Sequence, residues 1–262
     1  MNLGLTPFVQ RLILINIAFF VVTLLLSGKV DLTNALGLHG IYSDSLAPYQ
    51  FVTYMFMHGD FMHLAGNMIG LVLFGRLLEM FLGAKKFLIL YFVCGIGSGF
   101  LFWTLNSYEV SNVRQDATEY VADPNPDAFN AFINAFYSYG YEGMTDFIDA
   151  YSADPTNPVF VVQSQEWVKA ITHAQENVPL IGASGAVFGI LMAMALLFPN
   201  TEINLLIPIK VKYLATGYGL FEIYALYMNR QDDNVAHFAH LAGMLFAFIL
   251  VKYWKTNRNS FY

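Results

Sequence analysis

The sequence predicts an all-α membrane protein: a bundle of six transmembrane helices, with an extracytoplasmic helical insertion between the third and fourth spans. Three observations predict it. The 262 residues are 56% hydrophobic and only 12% charged, where soluble domains carry about 25% charged residues. Six apolar segments recur, at about 8–27, 63–82, 86–106, 184–198, 204–228 and 236–254. All but the fourth approach the length of a spanning helix, and lipid allows an open backbone no other way to satisfy its polar groups. Between the third and fourth segments, residues 107–178 are polar and carry 11 acidic against 2 basic residues.

The first segment, with Arg11 before the run Leu12–Leu26, has the outline of a signal peptide. No small-residue cleavage site follows, so a retained first span is expected. The second and third segments meet at Gly83, Lys85 and Lys86, which predicts a short turn. Arg76 and Glu79 near that turn are expected to pair with each other or with backbone. Residues 127–151 repeat Phe129, Ile133, Phe136, Tyr137, Phe147, Ile148 and Tyr151 at helical spacing, so the insertion is expected to be a small helical subdomain. A structureless loop of that length is uncommon in a compact domain. The chain thus divides into residues 1–106 with three spans, the acidic insertion 107–178, and residues 179–262 with three spans and a cytoplasmic tail.

Charge orients the bundle. An N-terminus inside puts Lys85, Lys86, Lys210, Lys212, Lys252, Lys255 and Arg258 on the inner side and the acidic insertion outside. The positive-inside rule favours that arrangement. The expected location is a bacterial inner membrane, crossed several times, with both termini cytoplasmic. A net charge of −6 excludes a general nucleic-acid binder. The single cysteine, Cys94, excludes an intrachain disulfide and is expected to serve in packing.

Polar side chains inside spans are costly and mark function. Ser184 opens the fourth segment within Gly182-Ala183-Ser184-Gly185. A helix over 184–198 is about 22 Å long at ~1.5 Å per residue, against a hydrocarbon core of roughly 30 Å. With its Pro199 end at one surface, Ser184 lies about 8 Å below the other. On the second span His63 and Asn67 share a face, one turn or about 6 Å apart. His240 lies about 6 Å into the sixth span, counted from Ala236. Three helices therefore bring a serine, an asparagine and two histidines to one level.

That set suits acyl transfer. A serine hydroxyl needs an adjacent base, which neutral imidazole supplies. The oxyanion that forms needs preset donors: His63, the Asn67 amide and the Ser184 backbone N–H, unpaired at a helix start. No carboxylate is evident to orient His240, so a Ser–His dyad is expected rather than a triad. Gly185 and Gly189, with Ala239, Gly243 and Ala247, form small-residue ladders that let the two helices approach. His58 is expected to brace the loop and His237 to be structural. Gly95, Gly97 and Gly99, spaced like part of a phosphate loop, have no preceding strand and suit packing. A zinc reading of His58, His63, His237 and His240 lacks the HExxH motif and leaves Ser184 unexplained; no metal and no cofactor is expected.

Together these residues resemble the rhomboid intramembrane serine proteases. The resemblance is carried by Gly182-Ala183-Ser184-Gly185, by Ala239-His240-Leu241-Ala242-Gly243, by His58-x4-His63-x3-Asn67 and by the segment Gly75–Gly83. It implies Ser184 as nucleophile and His240 as base, with His63, Asn67 and the Ser184 N–H on the oxyanion. Phe188 stands where the family has an aromatic ring against the catalytic histidine. Residues 29–57 would lie partly in the membrane, and the fifth span would gate a substrate helix. The long insertion, and Tyr49-Gln50-Phe51 in place of a Trp-Arg pair, depart from many members. The implied partners are transmembrane protein substrates in the lipid bilayer, cut near their extracytoplasmic ends. A rhomboid-like pseudoenzyme that escorts membrane clients is the alternative. A transporter would need inverted repeats and broken helices, which are not evident.

Overall fold

A computed structural model describes residues 4–204, 208–228 and 234–256. Within it the chain forms two compact units. One comprises residues up to Leu38, Ser45–Trp103 and the chain from Pro179 onward; the other comprises His39–Asp44 and Thr104–Val178.

The first unit is a helical membrane bundle. Helix α1, Pro7–Leu26, begins with proline at its first turn, where the missing N–H is harmless. The free N–H groups of Phe8 and Val9 donate to the Glu79 carboxylate at 3.1 and 2.9 Å, and the Thr6 hydroxyl donates to it as well. A buried carboxylate at the positive end of a helix dipole is favourable, so Glu79 pairs with backbone. Leu14, Leu24 and Leu25 leave the outward face of α1 exposed and apolar, as a lipid-facing helix requires. Helices α2, Leu32–Leu36, and α3, Gln50–Thr53, with a 3-10 turn at Tyr54–Phe56, lead to α4, Phe61–Gly70. A π-helical turn at Leu71–Gly75 joins α4 to α5, Arg76–Ala122. The turn expected between the second and third spans shrinks to one break at Gly83, whose φ of 75° suits glycine.

Helix α5 continues past the apolar segment 86–106, to Ala122. The division between the units falls within it. Its last turns join α6, Pro126–Phe136, α7, Thr145–Ala153, and α8, Pro158–Glu176, in the second unit. The periodic stretch 127–151 is thus two helices, parted by a 3-10 turn at Ser138–Met144 that contains Gly140 and Gly143. Asn125 and Asn157 cap α6 and α8 ahead of prolines. Phe129, Ile133, Tyr151 and Val168 are fully buried in the core of this unit.

In the first unit the chain then forms α9, Ser184–Leu197, an antiparallel hairpin of β1, Glu202–Asn204, and β2, Pro208–Lys210, then α10, Val211–Tyr227, and α11, Asn234–Thr256. The fifth helix therefore starts at Val211 rather than 204, because Glu202–Asn204 and Pro208–Lys210 pair as strands and Pro208 has no N–H for a helix interior. Helix α9 is buried around most of its circumference; an all-round apolar helix belongs in a core. Among the described residues, three helical stretches are long and apolar enough to cross a membrane: Pro7–Leu26, Phe61–Ala122 with its break, and His237–Thr256. The inner-side cue Arg258 lies outside the described residues.

Glu79→Ala should cost about 2 kcal/mol, since charge-assisted bonds to three donors are lost. Thermal unfolding of the purified protein in detergent is the check, and an unchanged midpoint would contradict the capping role.

Candidate active site

The site is built around the start of α9. An isolated antiparallel bridge, Leu38 with Leu180, holds the approach, its two bonds measuring 2.9 and 2.8 Å. The Gly182 N–H then donates to the Tyr54 carbonyl at 2.9 Å, and the Tyr54 hydroxyl donates to the Gly95 carbonyl at 2.6 Å. Gly182 has φ of 119°, open essentially to glycine alone. A Cβ there would also lie 2.6 Å from His63 Nε2 and 3.7 Å from Ser184 Oγ. His63 and Ser184 therefore flank the same backbone atom. The first intrahelical bond of α9 runs from Val187 N–H to the Ala183 carbonyl at 3.0 Å, which leaves the Ser184 N–H among the unpaired donors of the helix start.

His240 reaches this level through close packing of α9 on α11. A Cβ on Gly243 would lie 1.9 Å from the Gly185 carbonyl oxygen, and one on Gly189 would lie 3.1 Å from the Gly243 carbonyl. The backbones touch where both ladders carry glycine. One turn along α9 from Ser184, the Phe188 ring stacks on the His240 ring with centroids 4.1 Å apart and planes 4° from parallel. Helix α5 closes a third side. The Ser98 hydroxyl donates to the Ala239 carbonyl, and Cys94 packs where a Cβ on Gly189 would sit, 2.5 Å away. Gly95, Gly97 and Gly99 adjoin Met55, Phe246 and Tyr54, which is a packing role.

Helix α4 supplies the remaining polar groups. Asp60 caps it by accepting from the His63 N–H at 2.9 Å. Asn67 is buried and its amide donates to the His63 carbonyl at 3.2 Å. The second amide hydrogen remains for another acceptor. His58, buried in the loop before α4, meets the His63 ring edge-on at 5.0 Å. Burial pushes its imidazole down to about 4, so it packs as a neutral ring at ordinary pH.

One expectation is overturned. A carboxylate does stand beside His240: Glu222 of α10, 3% exposed, holds His240 Nδ1 at 3.0 Å through Oε1 and His237 Nδ1 through Oε2. Sequence reasoning missed this residue, although an acid inside an apolar segment was the signal for it. Among the described residues, Glu222, His237 and His240 are also the group whose ligand atoms converge as a metal would require, all within 4.8 Å. His58 and His63 are not part of that group.

A model of the rhomboid domain matches residues 46–113 and 159–255. The chain belongs to the rhomboid family. No curated protein and no solved structure matches it. Rhomboid proteins are generally intramembrane serine proteases that act on transmembrane substrates within the bilayer. In this rhomboid protein the match spans α3, α4, α5 as far as Val113, α8 apart from its first residue, α9, α10 and nearly all of α11, and omits residues 114–158 of the second unit.

Gly243→Ala should destabilise the protein by about 2 kcal/mol, as overpacking does, because the new methyl meets a backbone oxygen that cannot swing away. Gly217→Ala, with open space at its Cβ, should be neutral or slightly stabilising. Equal thermal midpoints for the two variants in detergent would contradict the helix contact.

Proposed function

We propose that the chain is an intramembrane serine endopeptidase that cuts transmembrane segments of membrane proteins near their extracytoplasmic ends. The observation that carries the reading is the stacking of His240 on Phe188, one turn from Ser184, across a glycine-to-glycine helix contact. That contact brings a histidine with one ring nitrogen free against the open start of a short helix.

The chemistry follows from these groups. Ser184 Oγ bonds to the scissile carbonyl carbon as its proton passes to His240 Nε2. The carbonyl oxygen becomes an oxyanion, stabilised by the Ser184 N–H, the His63 ring and the free Asn67 amide hydrogen. The intermediate collapses, the C–N bond breaks, and the leaving amine takes the proton from His240. Water then attacks the acyl-enzyme with His240 again as base, releasing a carboxyl terminus and restoring Ser184. Phe188 keeps the imidazole plane fixed throughout. Gly182, Gly185 and Gly243 keep backbone close enough for the groups to meet.

The bundle has six spans, with α4 and the first part of α5 as the second and the remainder of its apolar part as the third. Both termini are cytoplasmic, in keeping with the basic inner flanks. The acidic unit built on Thr104–Val178 lies on the extracytoplasmic side, and α10 gates entry of the substrate helix. A bacterial inner membrane is the proposed setting.

Ser184→Ala should abolish cleavage of a membrane-anchored reporter while leaving insertion and thermal midpoint unchanged. Cleavage at the wild-type rate would sink the proposal.

A further inference from the structure

Glu222 is the single acidic residue of α10 and one of the few buried charged groups of the bundle. A carboxylate withdrawn from water must be paired or neutralised. Here each oxygen has its own partner, Oε1 with His240 Nδ1 and Oε2 with His237 Nδ1. A carboxylate accepts, so each Nδ1 carries the proton. A neutral His240 with its proton on Nδ1 presents Nε2 as a lone-pair acceptor, the form a base must have to take a proton from a serine.

The position of Glu222 adds a second consequence. Helix α10 buries only a narrow stripe, Val211, Ala215 and Glu222, while Leu220, Phe221, Ile223 and Tyr224 face outward. Near Glu222 its aromatic contacts are Tyr218 edge-on to Phe188 at 5.8 Å and Phe221 edge-on to His237 at 6.0 Å. Both end on residues that surround His240. Seating α10 and holding His240 are thus one set of contacts.

We propose that Glu222 is a positioning residue that fixes His240 in its proton-accepting tautomer and makes that tautomer depend on α10 being seated. The inference rests on the protease reading and deepens it, adding to the Ser–His pair an orienting carboxylate that rides on the gate. A substrate helix that displaces α10 draws the carboxylate off the imidazole; return of α10 restores the base. Peptide-bond cleavage is thereby confined to the closed site. His237 takes the second oxygen and keeps the carboxylate from turning away.

The test compares wild type, Glu222→Gln and Ser184→Ala on a transmembrane peptide substrate in detergent, with kcat and KM measured separately. The ionisable groups facing His240 are Glu222 from α10, His237 from its own helix and His63 from α4. Glu222→Gln keeps the shape and removes the charge. It should lower kcat roughly 10²–10⁴-fold, the scale of losing a histidine-orienting carboxylate, with KM little changed. Unchanged kcat, with Ser184→Ala silent, overturns this inference and leaves the protease reading standing. Full activity in Ser184→Ala overturns the protease reading itself. Activity lost to a chelator and restored by zinc would also overturn the inference, since Glu222 would then be a metal ligand. Should Glu222→Gln fail to fold, nitrogen-15 NMR of histidine-labelled wild type decides. A His240 resonance with the proton on Nδ1 supports the inference, and one with the proton on Nε2 refutes it.

Discussion

The backbone contact between Gly185 and Gly243 is the constraint on which the rest of the bundle depends. It leaves no room for a Cβ. Helix α9 must be apolar on nearly every side because α4, α5, α10 and α11 surround it, and it must be lined with small residues because α11 comes so near. That closeness sets the distance between the first residue of one helix and a histidine one turn along the other. Ser184 and His240 are placed by the glycines, and Phe188 then turns packing into alignment by stacking on the imidazole. In lipid the approach is driven by packing and polar contacts rather than by exclusion of water.

Three buried polar groups of the bundle share one arrangement: each lies beside an unsatisfied backbone donor or acceptor, or a titratable ring. Glu79 closes the open N-terminus of α1, Ser98 ties α5 to the turn of α11 before His240, and Glu222 joins α10 to two histidines. Apolar surroundings make such bonds costly to leave unmade, so each one sets where its helix sits. Two of the three converge on the turn that carries His240. The most constrained polar region of the molecule is also the one where chemistry is proposed.

Much of this was legible in the chain. Ser184 announces itself by its glycines and the shortness of its helix, and His63, Asn67 and His240 by being polar in apolar runs. The ladders of Gly185, Gly189 and Gly243 gave the helix pair. What was not legible had tertiary causes. Glu222 and His240 are 18 residues apart on different helices, and nothing local says that they meet. The extension of α5 past residue 106 was hidden because hydropathy falls there while helix periodicity continues. Val110, Val113, Ala117 and Tyr120 are buried at helical spacing and were the overlooked signal. The start of α10 was misplaced because hydropathy alone cannot tell an apolar strand pair from the first turns of a helix, although Pro208 argued against the latter.

The most direct measurement of the central claim is covalent labelling of the folded protein with a fluorophosphonate, which marks activated serines, followed by peptide mapping. The account expects one adduct, on Ser184, that disappears in His240→Ala while the variant keeps its fold. An unlabelled Ser184 in the wild type, or equal labelling in both proteins, would mean that the glycine contact packs two helices without arming a nucleophile.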